Sequence, residues 1–134
     1  MASFDFGQIT SYAVAITPRS GTFSANINSV AVDTADFEGV AVVTSIGDSN
    51  IGTANDVTLS FYESDDNTRA NATAVAAARV VYNPTLNSTN TAFWASVVPE
   101  KRYLFAEFVP AAAVAANVAV TAALGYAKTV PTTS

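Results

Sequence analysis

The sequence predicts an all-β protein, an antiparallel β-sandwich of jelly-roll-like form with about seven or eight strands. β-Branched and aromatic residues recur at a period of two along most of the chain, which is the strand signature. Turn-forming residues separate these segments at spacings of roughly 10 to 15 residues. Half of the residues are apolar and 13% are charged, so the chain is too hydrophobic to be disordered. Its 134 residues suit a single domain.

The first three strands are predicted in the N-terminal part of the chain. Residues 9 to 16 alternate, and the Pro-Arg-Ser-Gly sequence at residues 18 to 21 predicts a turn that ends the strand. Residues 22 to 32 predict a second strand whose alternation changes phase near Asn28, which a bulge or a bend would explain. Residues 37 to 47 are apolar on both faces at their centre, which predicts a buried strand.

Residues 56 to 64 give the clearest strand in the sequence. Alternation places Val57, Leu59 and Phe61 on one face, and the residues between them point the other way. An alanine-rich segment at residues 71 to 80 has high helix propensity, but its valines and the neighbouring strands favour a loop followed by a strand.

Two aromatic strands are predicted at residues 91 to 98 and 102 to 109, and the connection between them is short enough for a hairpin. Phe93 and Trp94 are adjacent, so they point to opposite faces and one of them lies away from the main core. Trp94 is therefore an interface candidate. Residues 117 to 127 predict the closing strand.

The residue types present exclude most catalytic chemistry. The chain has no His and no Cys, which removes imidazole bases, thiolate nucleophiles and the usual zinc sites. Asp65 and Asp66 are the only adjacent acidic pair, and with Asn67 they predict a turn in which the side chains bond local backbone N–H groups. A surface calcium contact and a glycosidase pair are the less favoured alternatives. We expect no enzymatic activity, no cofactor and no metal.

Charge and hydropathy limit the partners. A net charge of −5 disfavours attraction to nucleic acid and to anionic membranes. The weakly polar tract at residues 109 to 126 contains Pro110, Asn117 and Thr121 and is not apolar enough to predict a membrane span. The first residues do not resemble a secretory signal, so we expect synthesis in the cytoplasm.

Four segments together resemble a family of small virion proteins from the head modules of tailed phages and prophages. They are SVAVDTADFEGVAVVTSIGDS, DVTLSFYESDDN, KRYLFAEFV and AVTAALGYAKTVP, which lie between Ser29 and Pro131. The chain departs from the family pattern where Val98, Pro99 and Glu100 replace a Gly-Gly sequence. Phe105 and Phe108 stand at positions after the Lys-Arg-Tyr motif where many members carry basic residues.

The resemblance implies a β-sandwich that acts as a capsid decoration, or cement, protein. Expected partners are the major capsid protein and further copies of the same chain, as a homotrimer or dimer, on the capsid surface of a bacteriophage virion. Expected alternatives are a tail or head-completion subunit, or a module that binds glycans on exposed aromatic residues such as Trp94.

The predicted organisation is a flexible N-terminal arm at residues 1 to 8, a sandwich at residues 9 to 128 and a tail at residues 129 to 134. Phe4 and Phe6 in the arm are interface candidates. Lys101 and Arg102 are further candidates, because they place a third of the six basic residues at the start of an aromatic strand. There they could pair with Glu100, Glu107 or a neighbouring subunit.

Overall fold

The computed structural model describes residues 11–47, 49–51, 56–87 and 91–127, with the backbone alone at residues 126 and 127. The chain is an antiparallel all-β sandwich, which confirms the predicted fold class. Ten strands are present in the described ranges, and four of them are two residues long. They are β1 (Ser11–Phe23), β2 (Ile27–Asn28), β3 (Val32–Asp33), β4 (Phe37–Ile46), β5 (Val57–Ser64), β6 (Thr73–Ala74), β7 (Val80–Val81), β8 (Thr91–Val97), β9 (Tyr103–Pro110) and β10 (Val114–Ala127).

The strands form two sheets that enclose one core. Sheet A has the order β1-β10-β4-β8-β7, and sheet B has the order β2-β9-β5-β6 with β3 also paired to β9. Alternation in the sequence determines which side chains point inward. In β5 the inward residues are Val57, Leu59 and Phe61, as predicted, and in β10 the even-numbered residues from 114 to 124 are buried.

The predicted turn at residues 18 to 21 is wrong, because β1 continues through this sequence to Phe23. Near this sequence the strand is irregular: its register against β10 shifts between Val14 and Ile16 and again between Ile16 and Arg19. β1 is an edge strand, so Pro18 can occupy it without depriving a second neighbour of a hydrogen bond.

The predicted hairpin of residues 91 to 109 is also wrong, because its two strands belong to different sheets. β8 pairs with β4 and β7 in sheet A, whereas β9 pairs with β5 in sheet B. Each strand therefore pairs along its length with a strand that carries buried apolar residues, β4 for β8 and β5 for β9. The connection between β8 and β9 crosses from one sheet to the other. A short connection therefore indicated proximity but not pairing.

The remaining segments follow the predictions more closely. The second predicted strand divides at its phase change into the end of β1, β2 and β3. The alanine-rich segment contains no α-helix; it holds β6, the start of β7 and two short 3₁₀ turns. The tract at residues 109 to 126 lies in β9, β10 and their connection. Across the described ranges, no helix has the length and apolar character needed to span a bilayer.

One buried polar group in the core has no partner. Thr44 points inward from β4, its side chain is fully buried, and its hydroxyl Oγ1 makes no hydrogen bond within the described part of the chain. We expect Thr44→Val, which keeps the shape and removes the hydroxyl, to raise the free energy of unfolding by about 1 kcal/mol. Urea denaturation measures this. Thr58→Val, at an exposed position of β5, is the control and should change stability much less; equal effects would contradict the explanation.

Candidate functional site

The two sheets are joined at one end by a buried carboxylate. Glu63, near the end of β5 in sheet B, is 3% exposed. Its Oε1 accepts a hydrogen bond from Arg79 Nη2 at 2.6 Å, and its Oε2 accepts bonds from the backbone N–H groups of Glu100 and Lys101 at 2.8 and 3.3 Å. Arg79 also donates to the carbonyl of Val98 at 2.8 Å. Glu63 therefore fixes the connection between β8 and β9.

The pKa of Glu63 reflects these contacts. Burial opposes ionisation of the carboxyl, but the hydrogen bonds from Arg79 and from the two backbone N–H groups outweigh burial. The pKa of Glu63 consequently lies below its ordinary value, and the side chain is ionised at neutral pH.

This end of the sandwich, which we call the turn end, carries Lys101 and Arg102. The turn between β3 and β4 meets the β8–β9 connection here, because the N–H of Thr34 donates to the carbonyl of Arg102 at 2.8 Å. β1 also begins at this end, since Ser11 pairs with Leu124. The first ten residues therefore join the sandwich at the turn end. Charged side chains are concentrated there: Asp33, Asp36, Glu38, Glu63, Asp65, Asp66, Arg79, Glu100, Lys101 and Arg102.

The structure gives Arg102 a partner that the sequence did not indicate. Its guanidinium binds Asp33 through two hydrogen bonds of 3.0 and 2.8 Å. The hydrogen bond from Arg102 lowers the pKa of Asp33, and the pKa of Arg102 is raised in turn. Glu107 pairs instead with Arg69, and Glu100 lies 3.6 Å from Arg79. The expected pairing of Arg102 with Glu100 or Glu107 within the chain is therefore wrong.

Lys101 differs from Arg102 in having no ion-pair partner among the described residues. Its ammonium group donates to Thr73 Oγ1 at 3.4 Å, and the side chain is partly exposed. Lys101 thus presents a positive charge that a carboxylate on another molecule could neutralise.

Part of the outer face of sheet B is covered by the protein's own loop. Arg69, in the loop after β5, lies 3.7 Å from the ring centre of Tyr62 and forms a 2.8 Å ion pair with Glu107. Asn26 also donates to Glu107. Phe105, which register places beside Tyr62 on this outer face, is 2% exposed. Sheet B therefore already has an intramolecular cover.

Among the described residues, none covers the outer face of sheet A, which we call the flat face. Strand register places no charged side chain on it among the described residues. Arg19 lies at its rim, beside a shallow depression near Ser45 and Asn117. The flat face comprises Tyr12, Val14, Gly39, Ala41, Val43, Ser45, Val81, Ala92, Trp94, Ser96, Ala119, Thr121, Ala123 and Gly125.

Trp94 lies on this face, as the sequence allowed, while Phe93 packs against the core. The Trp94 side chain is 51% exposed and its ring centre lies 5.0 Å from that of Tyr82, which is 68% exposed. Tyr82 has a left-handed backbone with φ of 56°, an unfavourable conformation for a bulky residue. The two rings border an open cleft with Asn83, Pro84 and Thr91.

Asp66, one of the two residues of the acidic pair, has the predicted local role. Asp66 accepts hydrogen bonds from the backbone N–H of Thr68 and from the side chains of Asn71 and Ser64, and these bonds lower its pKa. Within the described ranges, no group of three acidic side chains is placed to hold a metal ion.

The structure brings Lys101 and Arg102 together at the turn end and places Trp94 on the flat face. Phe4 and Phe6 lie outside the described residues, as do the predicted arm and tail. Sequence reasoning missed Glu63, although its parity in β5 matched the buried residues Val57 and Phe61 and so indicated a carboxylate that needs a partner. No comparable signal pointed to Arg79 or Tyr82.

Comparison with known proteins supports the fold. No protein-family model matches the chain, and no curated protein matches it in sequence. The crystal structure of YomS, a protein derived from the SPBc2 prophage, is similar with a TM-score of 0.58 and 15% identity, over 87% of this chain and 93% of that one. At this identity the likeness establishes a shared fold.

A structure from the Gx strain of infectious bursal disease virus also aligns, with a TM-score of 0.43 and 11% identity. The match covers 90% of this chain and 33% of the viral chain. No inference rests on a similarity of this size.

The Glu63 contacts lead to a pH-dependent prediction. Glu63→Gln keeps the shape but removes the charge that binds Arg79 and the two backbone N–H groups, so we expect the free energy of unfolding at pH 7 to fall by about 2 kcal/mol. Because the folded pKa of Glu63 is depressed, its contribution is complete above the unfolded pKa and is lost as pH falls through the folded pKa.

The stability difference between the original protein and Glu63→Gln should therefore narrow as the pH is lowered from 7 towards 3. Denaturant unfolding across this range measures the effect. Asp33→Asn, which breaks the exposed pair with Arg102, is the control and should cost much less at pH 7. A constant difference at all pH values would show that ionisation of Glu63 is not responsible.

Proposed function

We propose that this protein is a structural component of a phage virion, and specifically a decoration protein that binds the assembled head and strengthens contacts between capsid subunits. The observation that carries the proposal is the segregation of its surface into an uncharged flat face and a charged turn end. A uniform, uncharged sheet face suits contact with another protein surface. The resemblance to phage head proteins and the fold shared with a prophage-derived protein support the phage assignment.

The turn end is the proposed contact with the shell. It combines the ammonium group of Lys101, which has no ion-pair partner among the described residues, with the Asp33–Arg102 pair and the start of β1. Each contact is individually weak, but a shell presents many equivalent sites, and oligomeric copies bind such sites with increased avidity. Phe4 and Phe6 in the preceding segment would supply apolar contacts that the charged turn end lacks.

The Tyr82–Trp94 cleft favours a second candidate, a glycan-binding module. Two half-exposed rings beside Asn83 and Thr91 offer a stacking surface and polar groups, as sugar ligands require. Binding to a glycan array that disappears in a folded Trp94→Ala variant would support this candidate. Unchanged particle binding in the same variant would separate the two functions.

The first prediction concerns the particle. Virions purified from a host that carries this gene should contain the polypeptide in many copies, and cryo-electron microscopy should place it on the outer surface of the head. Particles from a gene deletion should assemble, bind the added purified protein and lose less DNA on heating once it is bound. Absence from purified virions would reject the proposal, and a few copies located at the tail or the neck would favour the tail or head-completion alternative.

The second prediction concerns the contact surface. Lys101→Glu should weaken binding to deletion particles about tenfold, because it reverses a charge that faces the shell. Arg19→Glu makes the same change in net charge in the part of β1 that lies away from the turn end, and this variant should bind deletion particles normally. Removal of residues 1 to 8 should also weaken binding while leaving the circular dichroism spectrum unchanged. Normal binding by both Lys101→Glu and the truncated protein would exclude the turn end as the shell contact.

A further inference from the structure

The flat face is a large surface that no other described part of the chain covers. Sheet B has an equivalent outer face, and there the chain supplies Arg69 and its loop as a cover. On sheet A, Tyr12, Val14, Val81 and Trp94 are each more than 40% exposed. An apolar surface of this extent on a soluble protein indicates an interaction site.

We infer that the flat face is the self-association surface of this protein, on which a second copy packs sheet against sheet about a two-fold axis. This inference does not depend on the proposed virion function, since it concerns the isolated chain.

Charge favours a second copy as the occupant. The chain carries a net charge of −5, so two copies repel each other through most of their surfaces. The flat face is a surface through which they can meet without bringing like charges together, and the described charge at its rim, Arg19, is positive. The turn end, with its many carboxylates, is much less suited to self-contact.

The size of the face also suits a stable dimer. The strands of sheet A are 13, 14, 10, 7 and 2 residues long, and at about 3.3 Å rise per residue and 4.8 Å between strands they give a face of roughly 700 Å². This is close to the ~800 Å² that each partner contributes to a standard stable interface.

The distribution of side-chain sizes on the face is self-complementary. The central strands β4 and β10 present mainly Ala, Gly and Thr, whereas the large side chains lie towards the margins. Register places Val14, Thr121, Val43 and Trp94 in one row across the sheet. A two-fold axis along β4 would place Trp94 of each copy over Thr121 of the other, so that a large side chain meets a small one.

The experiment uses the purified full-length chain. Light scattering after size exclusion should give twice the chain mass of 13.8 kDa at micromolar concentration, with dissociation on dilution. Trp94 is the only tryptophan and reports directly on the face, so its fluorescence emission should move to shorter wavelength as the dimer forms. A monomer at every concentration, or a trimer, would overturn the inference.

Two matched variants locate the interface. Thr121→Glu adds a charge at the centre of the flat face and should raise the dissociation constant at least about tenfold, with Trp94 emission at the monomer wavelength. Thr58→Glu adds the same charge on the outer face of sheet B and should leave the dimer intact. Val14→Glu, at a half-exposed position of the edge strand, repeats the test if Thr121→Glu does not fold. Dissociation by Thr58→Glu alone would overturn the assignment.

The outcomes separate this inference from the proposed function. A monomeric chain that binds particles, and loses that binding in Thr121→Glu, would show that the flat face contacts the shell and would reject self-association through it. A dimer that Thr121→Glu dissociates, from a polypeptide absent from virions, would support the inference and reject the virion role.

Discussion

The arrangement of the turn end depends on one buried carboxylate that links the two sheets there. Glu63 belongs to sheet B, whereas Arg79 leads into sheet A and the bound N–H groups belong to the connection that crosses between the sheets. An apolar side chain at this position would leave Arg79 and the two backbone N–H groups without their acceptor. Donors left without an acceptor lower the free energy of unfolding, so a carboxylate is favoured here. Because the connection is fixed there, Lys101 and Arg102 are fixed at the turn end as well.

Alternation predicted the fold because burial on one face of a strand is recorded directly in the sequence. It located β4, β5 and β10 and assigned the inward side of β5 residue by residue. The turn at residues 18 to 21 and the hairpin failed because local propensity does not report which strand pairs with which. The predicted turn is instead a pair of register shifts within β1 where it pairs with β10. The predicted hairpin strands pair with β4 and β5 and not with each other. Of the site, Trp94 could be predicted from parity, whereas the Arg102–Asp33 and Arg79–Glu63 partners are distant in sequence and could not.

The outer faces of the two sheets differ in how much of each is covered by other parts of the chain. Sheet B carries Tyr62, Phe105 and Glu107 outward, and Arg69 from the following loop contacts Tyr62 and Glu107. Phe105 and Glu107 are buried and Tyr62 is partly buried. No loop in the described ranges lies comparably over the outside of sheet A. This difference in cover between the two outer faces is the reason for inferring self-association through sheet A and not through sheet B.

The residue types on the flat face differ from those usual on a solvent-exposed sheet. Exposed central strands usually carry Thr, Lys, Glu or other residues that favour strands or solubility, whereas Ala and Gly weaken a strand. β4 and β10 nevertheless present Gly39, Ala41, Ala119, Ala123 and Gly125 outward. Small side chains lower the intrinsic stability of a strand, but they allow a second surface to approach the backbone closely. The alanine-rich composition, which gives a modest core, therefore has a physical use on the outside of the sandwich, where a packed partner would restore the burial that the isolated chain lacks.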